Sequence, residues 1–161
     1  MSKDQITAYL NFEEVESAGM SQVCFVRQRP NGLCDLYGFL VDSKCLGVKN
    51  ALMNSGMMEH EIREFLNDSS HGDHTIVPAA QAKAFVEGSV SYAKKLGLLP
   101  HKDYRKARRI LSRIKEDWDE DFTYGDPETG KPMYISGPND TPQFINRVMR
   151  AIGQSQGEDG F

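Results

Sequence analysis

The chain has little cysteine: three residues in 161, Cys24, Cys34 and Cys45, odd in number and nowhere spaced as CxxC. That excludes a disulfide scaffold, and it predicts reduced, half-buried thiols in a cytoplasmic protein. Whether Cys24 and Cys34 face each other across a hairpin cannot be read from spacing alone. No apolar run approaches the roughly 20 residues of a membrane span. No apolar stretch follows Met1-Ser2-Lys3-Asp4-Gln5, so no secretory signal is expected. An excess of positive charge is missing too. Lys plus Arg is 19 against 23 for Asp plus Glu, a net charge of −4, which argues against a globally basic nucleic-acid binder and leaves a local basic patch open. The motifs GxxxxGK[ST], GxSxG, HExxH and DxDxDG are all lacking, so no phosphate loop, nucleophile elbow, zincin or calcium loop is signalled. A hydrophobic share of 39% with 26% charged residues excludes a disordered or collagen-like chain. At this length roughly 70% of the unfolded surface can be buried, enough for a core without staples.

What is present divides into helix-like and strand-like segments. Ile6, Leu10, Phe12 and Val15 predict a short helix over 5–19. Val23-Cys24-Phe25-Val26-Arg27, then Pro30-Asn31-Gly32, then Cys34 to Asp42 predict a β-hairpin, because Asn and Gly tolerate the positive φ of its turn. Phe39-Leu40-Val41 is apolar on both faces, which puts that strand inside the sheet. After Asp42 the strand is expected to hand over to a helix, and 59–66 reads as a short helix. The clearest helix is Pro78 to Leu96, with Ala82, Phe85, Val86, Ser89, Ala93 and Leu96 on one stripe and Gly97 closing it. A further helix is expected from His101 to Lys115, buried on Tyr104, Ala107, Leu111, Ile114 and Trp118. Phe122–Tyr124 and Lys131–Ile135 suggest a second hairpin. The last helix is predicted from Pro142 to about Ile152, capped by Asp140 or Thr141, with a short frayed tail over 154–161. The sum is one compact α+β domain over 1–161: two β-hairpins forming a small antiparallel sheet packed against four or five helices.

Four places offer chemistry. The first is 42–50, where Asp42, Lys44, Cys45 and Lys49 would gather at a strand-to-helix junction. Helix N-terminal amides attract anions there, and neighbouring lysines would lower the Cys45 thiol; the plainer reading packs Cys45 and Leu46 inward. The second is His71-Gly72-Asp73-His74, with His60 and His101 beyond it. His71, Asp73 and His74 could converge on a metal, but no cysteine sits at ligand spacing, so no metal and no cofactor is assigned. The third is the charge map. From His101 to Lys115 stand Lys102, Arg105, Lys106, Arg108, Arg109, Arg113 and Lys115 against Asp103 alone, a local charge of +6. Phosphate backbones favour such a face. Glu116, Asp117, Asp119, Glu120 and Asp121 follow at once, and acids folding back would mask it. The fourth is 130–140, where Lys131, Asn139 and Asp140 would line a pocket or simply form a turn and a cap.

Three runs also resemble signatures of a family of small bacterial and phage proteins. They are Phe39-Leu40-Val41-Asp42-Ser43-Lys44-Cys45-Leu46-Gly47-Val48-Lys49-Asn50-Ala51, then Tyr92-Ala93-Lys94-Lys95-Leu96-Gly97 with Pro100-His101-Lys102-Asp103-Tyr104, and Gly130-Lys131-Pro132-Met133-Tyr134 with Gly137-Pro138. The resemblance implies a bacterial or phage origin and one compact domain, and brings no activity, substrate or catalytic residue with it.

Three functions follow as expectations. The first is a cytoplasmic interaction module whose Lys102, Arg105, Lys106, Arg109 and Arg113 contact an anionic partner, above all nucleic acid. The second is an enzyme whose site joins Asp42, Cys45 and Lys49 to His101 and Asp103, with Cys45 as nucleophile and His101 as general base. The third is a protein-binding factor, such as a phage-encoded inhibitor, that uses the acids from Glu116 to Asp121. No membrane partner is expected.

Overall fold

The computed structural model describes residues 5–10, 20–68, 75–120, 122–126, 128–129, 131–134 and 140–160. Five antiparallel strands form one sheet: β1 (Gln5–Leu10), β2 (Met20–Gln28), β3 (Cys34–Asp42), β4 (Gly47–Met57) and β5 (Thr75–Val77), in the order β4-β3-β2-β1-β5. The helices are α1 (Glu59–Asp68), α2 (Ala79–Lys95), the single turn α3 (Tyr104–Ala107) running into a 3-10 helix (Arg108–Arg113), and α4 (Pro142–Gly160). The chain is α+β, as expected, but the sheet is a four-strand meander extended by β5 rather than a pair of hairpins.

The hairpin at 30–32 forms as expected. Gly32 takes φ +90°, its N–H donates to the Arg29 carbonyl at 2.9 Å, and the Leu33 N–H donates to Asn31 Oδ1 at 3.0 Å. β3 lies between β4 and β2, as the two-sided apolar run predicts. Two elements differ. Residues 5–10 are a strand, not the start of a helix, while 11–19 lie outside the described residues. Ile6 and Leu10 are four apart, a spacing that suits a helix and a strand alike. Ile6, Ala8 and Leu10 then alternate with Thr7 and Tyr9, which is the strand period. Residues 47–57 are also a strand. Their alternation is hidden by two irregularities. Val41 pairs with Val48 but Leu40 with Asn50, so Lys49 is an extra residue; a second slip lies between Cys34 and Leu36. Bulges of this kind shift side chains from one face to the other.

The expected second hairpin over 122–135 is no strand pair among its described residues. That stretch instead lies across the meander's end and α2. The Gly125 N–H donates to the Ser43 carbonyl at 2.9 Å and the Met133 N–H to the Lys44 carbonyl at 3.0 Å, while Tyr124 donates its hydroxyl hydrogen to the Phe85 carbonyl at 2.8 Å. The last helix starts at Pro142 with Thr141 as its cap, the Phe144 N–H donating to Thr141 Oγ1 at 3.1 Å, and it runs on to Gly160 where a frayed tail was expected.

The main core lies between the sheet and α2, α3 and the 3-10 helix. Val23, Phe25, Phe39 and Val41 meet Phe85, Val86, Tyr104, Ile110 and Leu111 there. Phe39 meets Phe25 and Tyr104 edge-on, with ring centres 5.7 and 5.9 Å apart. α1 covers part of the opposite face over Cys24, Val26, Leu36 and Met57. A third cluster of Cys45, Leu46, Ala93, Leu98, Val148 and Ile152 fastens α4 beside the 43–46 turn. None of the described helices is long and apolar enough to cross a membrane.

Candidate functional site

The Asp42–Asn50 segment is a β-turn into a strand, not a junction into a helix. Asp42 is buried, and its carboxylate takes the Lys44 N–H at 3.0 Å. Burial raises the Asp42 pKa, although the amides of Lys44, Leu46 and Cys45 and the charge of Lys49 act in the other direction. The carboxylate therefore satisfies the turn's own donors, the job an Asx residue does in a tight turn. Gly47 then takes φ +70°, and its α-carbon presses against α2 so closely that a Cβ would sit 2.8 Å from the Ser89 carbonyl oxygen.

Cys45 is fully buried among Leu46, Ala93, Leu98, Val148 and Ile152. Burial, with Asp42's charge beside it, pushes its thiol up to about 12. This corrects the expectation of a thiol lowered by Lys44 and Lys49. A thiol held this high is almost all protonated at neutral pH and is a poor nucleophile. No hydrogen bond joins Cys45 to His101 among the described residues. Cys24 is likewise buried and pushed up to about 12 by its surroundings. All three cysteines are free and buried.

His101 is placed by the sheet edge. Its N–H donates to the Val48 carbonyl at 2.9 Å, next to the Lys49 bulge. Its Nδ1 accepts the Asp103 N–H at 3.1 Å, with Asp103 Oδ2 3.7 Å away. With Nδ1 accepting, Nε2 carries the proton of the neutral imidazole. Lys49 and His101, two of the expected catalytic candidates, therefore come together. They line a cleft of about 320 Å³ between β4, the 97–101 loop and α4, with Leu46, Val48, Leu98 and Phe144 in its walls and Arg147 at its edge. Asp140 lies next to it, 3.8 Å from Lys49 Nζ, and accepts the Tyr134 hydroxyl hydrogen. Burial and that bond to Asp140 raise the Tyr134 pKa. Asp42 and Cys45 do not line this cleft. Arg147 carried no signal in the sequence and Phe144 only that of a core position on the last helix, because only the docking of α4 beside β4 brings them to the cleft.

The basic stretch keeps its expected apolar back. Tyr104, Ala107, Ile110, Leu111 and Ile114 are buried, and Trp118 packs on the same core. Its backbone is one α-turn and a 3-10 helix rather than the expected helix from His101 to Lys115. The Lys83 ammonium fixes the end of the segment by donating to the Ile114 carbonyl at 2.9 Å. Lys102, Arg105, Lys106, Arg108, Arg109, Arg113 and Lys115 are all exposed. Lys115 donates to the Ser112 carbonyl. Among the described residues no carboxylate forms an ion pair with Lys102, Arg105, Lys106 or Arg109. Glu116, Asp117, Asp119 and Glu120 are themselves exposed.

Among the described residues no three His, Cys, Asp or Glu side chains are grouped to hold a metal ion. His71, Asp73 and His74 lie outside the described residues, as do Asp121 and Asn139. Compared with known proteins, the chain matches no family model, no curated protein and no solved structure.

Proposed function

We propose that the protein is an interaction module that binds nucleic acid through the exposed face of α3 and the 3-10 helix. One observation carries the reading: Lys102, Arg105, Lys106 and Arg109 stand exposed on a segment fixed from behind by Tyr104, Ile110 and Leu111, and no described carboxylate pairs with them. Cations left unpaired on a rigid support are what a phosphate backbone neutralises, and each contact releases counterions. Arginine adds a planar fork that grips a phosphate with two donors. The −4 net charge favours a partner held by this one face over wholesale electrostatic adhesion.

The test is a fluorescence-anisotropy titration of labelled RNA and DNA oligonucleotides at several salt concentrations. Four phosphate contacts predict a slope of log K against log[salt] of about −3 to −4, slightly shallower on single strands. The Arg105→Ala/Arg109→Ala variant should flatten that slope by about 2. An absence of binding at low salt, or binding that the double variant leaves untouched, refutes the proposal.

A further inference from the structure

The cleft beside the Lys49 bulge has a character of its own. Its walls are apolar and its polar lining is made of nitrogen donors: Lys49, His101 and Arg147, with no carboxylate among the lining residues. Lys49, the residue left without a partner by the bulge, lines the cleft beside the paired Val48, and bulges are over-represented next to active sites. His101 is fixed from two sides, by its own N–H on Val48 and by the Asp103 N–H on Nδ1. Arg147 rests its guanidinium over the Phe144 ring, 5.7 Å from the centre. Stacking holds the fork in place and leaves its edge donors available.

Two carboxylates stand next to the cleft without lining it. Asp140 is 3.8 Å from Lys49 Nζ and Asp103 is 3.7 Å from His101 Nδ1. The first separation exceeds a direct hydrogen bond of about 2.7–3.2 Å, so Asp140 does not exhaust the three donors of the Lys49 ammonium; His101 Nδ1 accepts the Asp103 N–H, so the Asp103 carboxylate takes no donor from the ring. At the lip, Leu99 is 81% exposed, the most exposed of the large hydrophobic side chains described. With Leu46, Val48, Leu98 and Phe144 it gives the cleft a continuous apolar lining for the body of a ligand. The volume, about 320 Å³, is at the small end of ligand pockets, about 300–1,000 Å³.

We propose that this cleft binds a small organic anion with an apolar body. Its head, a carboxylate or a phosphate, is held by Arg147 with Lys49 and His101, and its body lies on Leu46, Val48, Leu98 and Phe144. The proposal does not rest on nucleic-acid binding, because Arg147 lies outside the row of cations on α3 and the 3-10 helix.

Isothermal titration and amide chemical-shift mapping with three probes test it: octanoate, octanol and inorganic phosphate. Octanoate should saturate at one molecule per chain and shift the amides of Lys49, Leu98, Leu99 and His101. Octanol, lacking the charge, and phosphate, lacking the body, should each bind about tenfold more weakly or not at all. A hexyl phosphate arm separates the two head chemistries. Arg147→Ala, a change at an exposed position, should weaken octanoate about tenfold, the loss of a charge-assisted contact, and leave the thermal unfolding curve in place. No saturable octanoate binding overturns the proposal, and so does binding that survives Arg147→Ala. Equal affinity for octanol removes the anionic head from it, and equal affinity for phosphate removes the apolar body; either result also overturns it.

Discussion

Gly47→Ala tests whether the turn that leads into β4 is clamped by α2. Two costs add at this position. The backbone sits at φ +70°, where an L-residue with a Cβ pays about 1–2 kcal/mol. The new Cβ would also lie 2.8 Å from the Ser89 carbonyl oxygen and 3.2 Å from Ala93 Cβ. The first of these neighbours is helix backbone and cannot rotate away, so α2 or the turn must move by several tenths of an ångström. Overpacking of this kind costs about 1–3 kcal/mol. Gly56→Ala is the internal control. It has the same φ of +70° but no atom within 4 Å of the added Cβ, so it pays for the backbone alone. Urea unfolding followed by circular dichroism should show Gly47→Ala losing about 3 kcal/mol and Gly56→Ala about 1. For a chain of this size the former is about 6–12 °C in melting temperature. If the two variants agree within about 0.5 kcal/mol, the close approach of the turn to Ser89 is wrong, and so is the account of how 43–47 is held.

Three further outcomes follow. Asp35 is buried, yet its pKa lies below the ordinary value: burial alone would raise it, but hydrogen bonds from Arg29 and the Gly56 amide and the charge of Arg27 outweigh that. A carboxylate held low contributes stability above its unfolded pKa of about 4 and loses it as pH falls through the folded value; Asp35→Ala should cost about 2–3 kcal/mol at pH 7 and flatten the decline below pH 4 in a urea-midpoint series. Cys45 and Cys24, buried and pushed up to about 12, should resist iodoacetamide in the native protein at pH 8 and react only in denaturant; rapid native alkylation of Cys45 in a mass spectrum would revive it as a nucleophile. Gly88→Ala places a Cβ against the Tyr124 hydroxyl and 2.9 Å from its Cζ, displacing a ring that stacks on Phe85 and bonds its carbonyl. It should cost about 1–3 kcal/mol, and an unchanged melting temperature would show that 122–124 does not lie on α2.

Local chemistry determined much of this molecule. The Pro-Asn-Gly turn specifies a hairpin by itself, because positive φ at Gly32 is a property of the residue. The stripe from Ala82 to Ala93 specifies a helix and its buried face, since 3.6-residue periodicity is visible in the chain. The apolar back of 104–114 was equally plain, and it set out the basic face by exclusion. Tertiary contact decided the rest. Ile6 and Leu10 fit two periods, and pairing with β2 and β5 selected the strand. β4 carries helix-favouring Ala, Leu and Met and two bulges that break its alternation, so only its ladder with β3 reveals it. The same pairing removed the helix expected after Asp42, made that carboxylate a turn anchor and buried the Cys45 thiol. The cleft was legible only in part for a similar reason: Lys49 and His101 stood out as candidates for one site, but they and Arg147 lie far apart along the chain, and a bulge, a loop hydrogen-bonded to a strand edge and a docked terminal helix bring them together. Residue type and period are local properties, whereas a strand's partner and a cavity's walls exist only between distant segments.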